Sequence, residues 1–153
     1  MDILTESRRL DPPPVVHTAA LLWLAAVAFG AFETVLVVTR ELLEGAAPGG
    51  LLPQVLFRLA IFTGAVFLAL RLRHGRNWAR WTLAVALGVF GTLSMVLEPL
   101  QWLLAGGDVA AATAAWSAWD WAFAASRALH VTAVLGAVTL MFQPRANAYY
   151  ASA

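Results

Sequence analysis

The sequence predicts an all-α fold, a polytopic membrane protein whose single domain, residues 1–153, is a four-transmembrane-helix bundle. Three observations point there. Hydrophobic residues make up 61% of the chain and charged ones 12%, whereas a soluble domain carries about 45–50% apolar and about 25% charged residues. Four stretches reach the roughly 20 mostly apolar residues that a helix needs to cross a bilayer. Turn and helix-end residues punctuate those stretches: Pro12–Pro14, Glu44–Gly50, Gly106-Gly107-Asp108 and Pro144. So much apolar surface excludes a disordered chain.

The first span is read at 15–39, after Pro12, Pro13 and Pro14. A cleaved signal peptide, with Arg8 and Arg9 ahead of a site at Ala26-Val27-Ala28, is disfavoured because the apolar run continues through Val38, too long for a signal core. The second span is read at 53–72, with Pro53 in its first turn and Glu44–Gly50 as the preceding turn. The third runs over 78–104 and is closed by Gly106-Gly107-Asp108. The fourth occupies 118–142, with Pro144 beyond its end. Residues 109–115 either begin the fourth helix early or lie along the interface.

Arg71, Arg73, Arg76 and Arg80 crowd the loop between spans two and three, and the positive-inside rule makes that loop cytoplasmic. Arg8, Arg9 and Arg145 then also fall inside, and Glu41, Glu44 and Asp108 outside. Both termini are therefore expected in the cytoplasm, with the chain in the plasma (inner) membrane. Aromatic belts agree: Trp102, Trp116, Trp119 and Trp121 mark the outer face, and Trp78, Trp81, Tyr149 and Tyr150 the inner.

Ionisable groups at membrane depth are costly and mark pairing or function. Glu33, Arg58, Glu98 and Arg127 lie one per span, Asp120 is nearer the outer interface, and His130 is deeper. At about 1.5 Å per residue, Glu33, Arg58 and Glu98 come out roughly 8–10 Å below the outer end of their spans, and Arg127 about 10–14 Å. The expectation is a charge layer in the outer half of the membrane, two carboxylates against two guanidiniums, in which formal charge cancels. Helical stripes support it: Trp116, Asp120, Arg127 and His130 on span four, and Gly91, Ser94, Glu98 and Gln101 on span three. Pro99 leaves the Met95 carbonyl without its helical donor. On span two Gln54 sits one turn above Arg58, and on span one Ala26 and Gly30 clear the face of Glu33. Arg58–Thr63 and Arg127–Thr132 agree at the Arg and the Thr, a faint sign of a duplicated hairpin.

Several classes are disfavoured. With no cysteine there is no disulfide framework and no thiolate metal site. A net charge of +1 gives no field for nucleic acid. His17 and His130 lie at unlike depths, which argues against a haem, and no cofactor is expected. No HExxH, GxSxG or phosphate-binding loop occurs, so the reading leans away from an enzyme. All ten basic residues are Arg in an Ala-rich chain, as in a GC-rich bacterial genome. A small residue at every fourth position, Ala124, Ala128, Thr132 and Gly136, allows close helix packing within the bundle or, in a homodimer or larger membrane complex, between copies. The remaining expected partner is the lipid bilayer.

The segments Arg71–Trp81 and Phe142–Tyr150 resemble the loop and tail of small four-span integral membrane proteins of high-GC actinobacteria. The resemblance implies location and architecture and brings no functional residue with it. The leading expectation is a non-enzymatic accessory or interaction protein held by the charge layer. Next comes a small dimeric transporter or channel for protons or a small polar or ionic solute, with Glu33, Glu98 and Asp120 as sites and Arg58 or Arg127 as counter-charges. Third is a lipid- or quinone-handling membrane enzyme using His130 and Arg127.

Overall fold

In a computed structural model, described over residues 12–152, every element is helical: α1 Pro14–Leu43, α2 Pro48–Arg73, α3 Asn77–Leu104, α4 Val109–Thr113, α5 Ala118–Met141 and α6 Pro144–Ser152. Four of them, α1, α2, α3 and α5, are long and apolar enough to cross a membrane. Arg8 and Arg9 lie outside the described residues.

The helix ends follow from local chemistry. Pro14 and Pro48 open α1 and α2, where the missing N–H costs nothing. Helices α1, α2 and α3 each stop at a glycine with positive φ: Gly45 at 94°, Gly75 at 74° and Gly106 at 89°. At each stop the residue after the glycine donates back five residues, Ala46 to Glu41, Arg76 to Arg71 and Gly107 to Trp102, so the last carbonyls find donors. Ser117 and Asp120 form a reciprocal capping box that starts α5. Asp108 accepts from the Ala111 N–H at 3.0 Å and starts α4 as a separate short helix.

Three expectations change. Helix α2 begins at Pro48 rather than Pro53, because Pro48 supplies the favoured opening residue; Pro53 then sits inside the helix. The tail after Pro144 folds as α6, since the proline that closes α5 also opens the next helix. And α3 is not uniform: residues Leu83–Gly91 follow π-helical hydrogen bonding between two α segments.

Helix α1 is the hub, packed against α5 and α2. The core lies towards the Arg-rich end. Trp23, Leu72, Leu83 and Met141 are all but fully buried there, among Ala19, Ala20, Ala69, Ala133 and Ala137, whose small side chains let the backbones close up. The Trp23 indole N–H reaches the Met141 sulfur at 3.4 Å. Gly88 lets α3 approach α5, because a Cβ there would meet Val138 at 2.9 Å. Beyond that point contact ends: Thr92–Leu104 contains no buried residue. The helices are thus packed together at the basic end, and towards the opposite end the far half of α3 parts from the others. The two hairpins of the faint repeat are correspondingly unlike, α1 and α2 packing closely while the far half of α3 stands apart.

Helix α6 is clamped onto the basic end. The Arg80 guanidinium lies 4.2 Å from the Phe142 ring centroid and 5.0 Å from that of Tyr150, and donates to the Asn147 side-chain carbonyl. Tyr150 and Tyr149 donate their hydroxyls to the Leu72 and Arg73 carbonyls at 3.2 and 3.0 Å, satisfying the end of α2. The loop and tail segments singled out in the sequence are therefore each other's packing partners.

Burial pushes the Tyr150 phenol well above the ordinary tyrosine range, against a weaker opposing pull from Arg80. The unfolded chain releases this proton at about pH 10 while the folded one retains it. Stability from Tyr150 is thus complete below about pH 10 and falls as pH rises past it. Thermal unfolding followed from about pH 8 to 11 should show that fall in the native chain, and Tyr150→Phe should flatten it.

Candidate functional site

The site is built around α1. Ala26, Gly30 and Glu33 share one face, and Gly30 is buried because two rings close over it: a Cβ there would lie 2.9 Å from Phe62 and 3.1 Å from His130. That approach brings α2 and α5 against Glu33, which is 2% exposed. Its Oε2 stands 3.7 Å from Arg127 Nε and its Oε1 3.6 Å from His130 Nδ1. Both separations exceed a hydrogen bond of about 2.7–3.2 Å. Glu33 Oε1, Arg127 Nε and His130 Nδ1 have no hydrogen-bond partner among the described residues, nor does the neighbouring Thr92 hydroxyl. The next residue on α1, Thr34, donates to the Gly30 carbonyl at 2.8 Å and accepts from Arg58 at 3.3 Å. Two consecutive α1 residues thus hold an arginine from each side.

A cavity of about 650 Å³ opens between all four long helices at this level. Glu33, Gln54, Arg58, Thr92, Ser94, Arg127 and His130 give it polar walls, and Trp23, Phe57, Phe62, Phe90, Val131 and Val134 its apolar ones. Its volume falls in the range of about 300–1,000 Å³ typical of small-molecule sites, which combine apolar walls with a few convergent polar groups. Its floor is the closed core around Trp23, Leu72, Leu83 and Met141.

Of the six residues expected to form an intramembrane polar site, four meet here: Glu33, Arg58, Arg127 and His130. Asp120 does not. Its carboxylate closes the Ser117 capping box, with contacts of 2.7 and 2.9 Å, and pairs with Arg40 at 2.9 Å. A carboxylate in the first turn is held by the free N–H groups and the helix dipole, and these outweigh its place on the stripe. Asp120 instead borders a second cavity of about 250 Å³ with Trp116 and Trp119. Glu98 does not meet the others either. It is exposed, on the half of α3 that buries nothing. The expected cancellation of charge fails as a result: the cavity holds one carboxylate and two guanidiniums.

Thr34 and Thr92 were not singled out in the sequence. Thr34 is four residues after Gly30, a spacing that signals its reach to the Gly30 carbonyl; nothing in the sequence marks Thr92. The small-residue ridge of α5 divides: Gly136 approaches Leu22 of α1, while Ala128 and Thr132 are exposed. Among the described residues no three His, Asp or Glu side chains are grouped as a metal site requires. Compared with known proteins, the chain matches no family model, no curated protein and no solved structure, so the meaning of this cavity rests on its own geometry.

Proposed function

We propose that this chain is a small multi-pass protein of the bacterial plasma membrane, with the Arg71–Arg80 end and both termini cytoplasmic, that binds an amphipathic small molecule in its intramembrane cavity. It acts as a binding or accessory protein rather than as an enzyme. The observation that carries the reading is the Glu33 carboxylate, 2% exposed and without a hydrogen bond among the described residues, facing a cavity of about 650 Å³. A buried ion pair serving only to fix helix register closes to about 2.7–2.9 Å and fills its remaining hydrogen bonds. This one stands open around a space. Continuous transport of protons or ions would need a polar route onward to the basic end, and the path there is filled by Trp23, Leu72, Leu83 and Met141.

Val131 lines the cavity and is half-buried, so Val131→Trp fills the space from the wall. Overpacking of this kind costs about 1–3 kcal/mol, which a folded membrane domain can absorb. Solvent extraction of the detergent-purified protein, followed by mass spectrometry, should recover an apolar molecule from the native chain and little of it from the variant. Identical extracts from both would overturn the reading.

A further inference from the structure

The cavity's two cations are not equivalent. Arg127 shares the Glu33 carboxylate with His130, whereas Arg58 donates to a neutral hydroxyl, that of Thr34, and no carboxylate lies within ion-pair distance of it among the described residues. An arginine at membrane depth normally has a counter-charge. Of the other two acidic residues of the spans, Asp120 is held by Ser117 and Arg40, and Glu98 is exposed and pairs with nothing among the described residues. From this arrangement we infer that Arg58 is the receptor for an anionic head group, a carboxylate or phosphate on an apolar chain, and that the ligand itself supplies the missing negative charge. The inference rests on the cavity being a ligand site.

The surrounding geometry fits such a molecule. A guanidinium presents a planar fork that matches two oxygens of a carboxylate or phosphate, and the Thr34 contact fixes its direction. On the far wall Glu33 is already occupied by Arg127 and His130, so it does not cancel Arg58. The route in is lateral. Phe57 of α2 and Phe90 of α3 both line the cavity and are 67% and 65% exposed, so the wall between these helices is also the protein's outer surface. Just beyond Phe90 begins the half of α3 that buries nothing. A molecule dissolved in the bilayer enters there, head to Arg58 and chain along the two rings.

Electron spin resonance on the full chain in phosphatidylcholine bilayers tests this, with three probes of one chain length: spin-labelled stearic acid, its methyl ester, and a spin-labelled alkyl phosphate. The buffer is alkaline, so that the carboxyl is ionised even at the interface. The motionally restricted fraction should favour an anionic probe over the ester by on the order of tenfold, the worth of one charge-assisted hydrogen bond. The anion restricted more strongly identifies the head group. Arg58→Gln should abolish the preference and Arg58→Lys keep part of it, while Glu98→Gln leaves it unchanged. Equal restriction of anions and ester in the native chain overturns the inference without any variant, and so does a preference that survives Arg58→Gln. A preference that rises in Glu98→Gln also overturns it, because Glu98 would then be the partner of Arg58. The two readings fail separately: if Val131→Trp releases acid and ester alike from a native chain that held them equally, the cavity stands and the anion falls. If the native chain restricts no probe, both fall.

Discussion

Glu33→Gln should lower the unfolding free energy by about 3 kcal/mol, the lower end of the roughly 3–5 kcal/mol that follows loss of one member of a buried pair. The carboxylate is 3% exposed and stands between Arg127 and His130, so its removal leaves a cation facing α1 with nothing opposite. The Arg127 side chain is 34% exposed, and that access to solvent holds the cost to the lower figure. Thermal or denaturant unfolding in detergent, followed by circular dichroism, measures it. Glu33→Gln combined with Arg127→Gln should recover a substantial part of the loss, because neither charge is then orphaned. Glu98→Gln is the control: an exposed carboxylate without a partner among the described residues should change stability by no more than about 0.5 kcal/mol. Equal effects of Glu33→Gln and Glu98→Gln would mean that the Glu33 cluster does not hold α1 to α5.

The second large effect is expected at the opposite end. Arg80→Gln removes a cation lying over two rings and a hydrogen bond to Asn147. Each desolvated cation–ring contact is worth about 1–2 kcal/mol, and a hydrogen bond to a charged group about 1.5–3 kcal/mol. Because the contacts share one side chain they do not add fully, and a loss of about 2–4 kcal/mol is expected. The loss should be local before it is global: α6 should detach and become open to proteolysis within Pro144–Ser152 while α1 and α5 stay protected. Arg80→Lys should behave more like Gln than like the native residue, since an ammonium cannot lie flat against Phe142 and Tyr150 together. A tail equally resistant in the native chain and in Arg80→Gln would show that the tyrosine hydroxyls alone hold it.

Much of this was legible in the sequence because it depends on properties local to each segment. Apolar length gives the four long helices, and Gly45, Gly75 and Gly106 mark their ends through a backbone angle that other residues rarely adopt. Glu33, Arg58 and Arg127 could be brought together from depth, since depth is residue number multiplied by rise, and His130 from the helical stripe it shares with Arg127. Depth does not specify which way a side chain faces, and there the reading failed. Asp120 shares the stripe of Arg127 and His130, but its own first turn holds it through Ser117. Glu98 has the right height and lies on the wrong side of a helix half that buries nothing. Arg80 looked like one more topological charge. Its role depends on Phe142, Asn147 and Tyr150, more than sixty residues away, and no periodicity connects them.

The π-helical stretch Leu83–Gly91 bears on that failure. A wheel drawn at 3.6 residues per turn assumes every residue advances the helix by about 100°. Bonding from i to i+5 takes up extra chain in each turn, so everything after Gly91 falls behind the phase that the preceding residues set. The stretch therefore works as a length of slack wound into α3. Deleting one residue, such as Ala86, would let the stretch tighten to α-helical bonding and keep Thr92–Leu104 near its present direction, where in a uniform α-helix one deletion turns everything beyond it by about 100°. Thr92, Ser94 and Glu98 would keep their directions although the chain ahead of them had been shortened. Which side chains the third helix shows to the cavity is thus set as much by how tightly the chain is wound ahead of Thr92 as by which residues follow it.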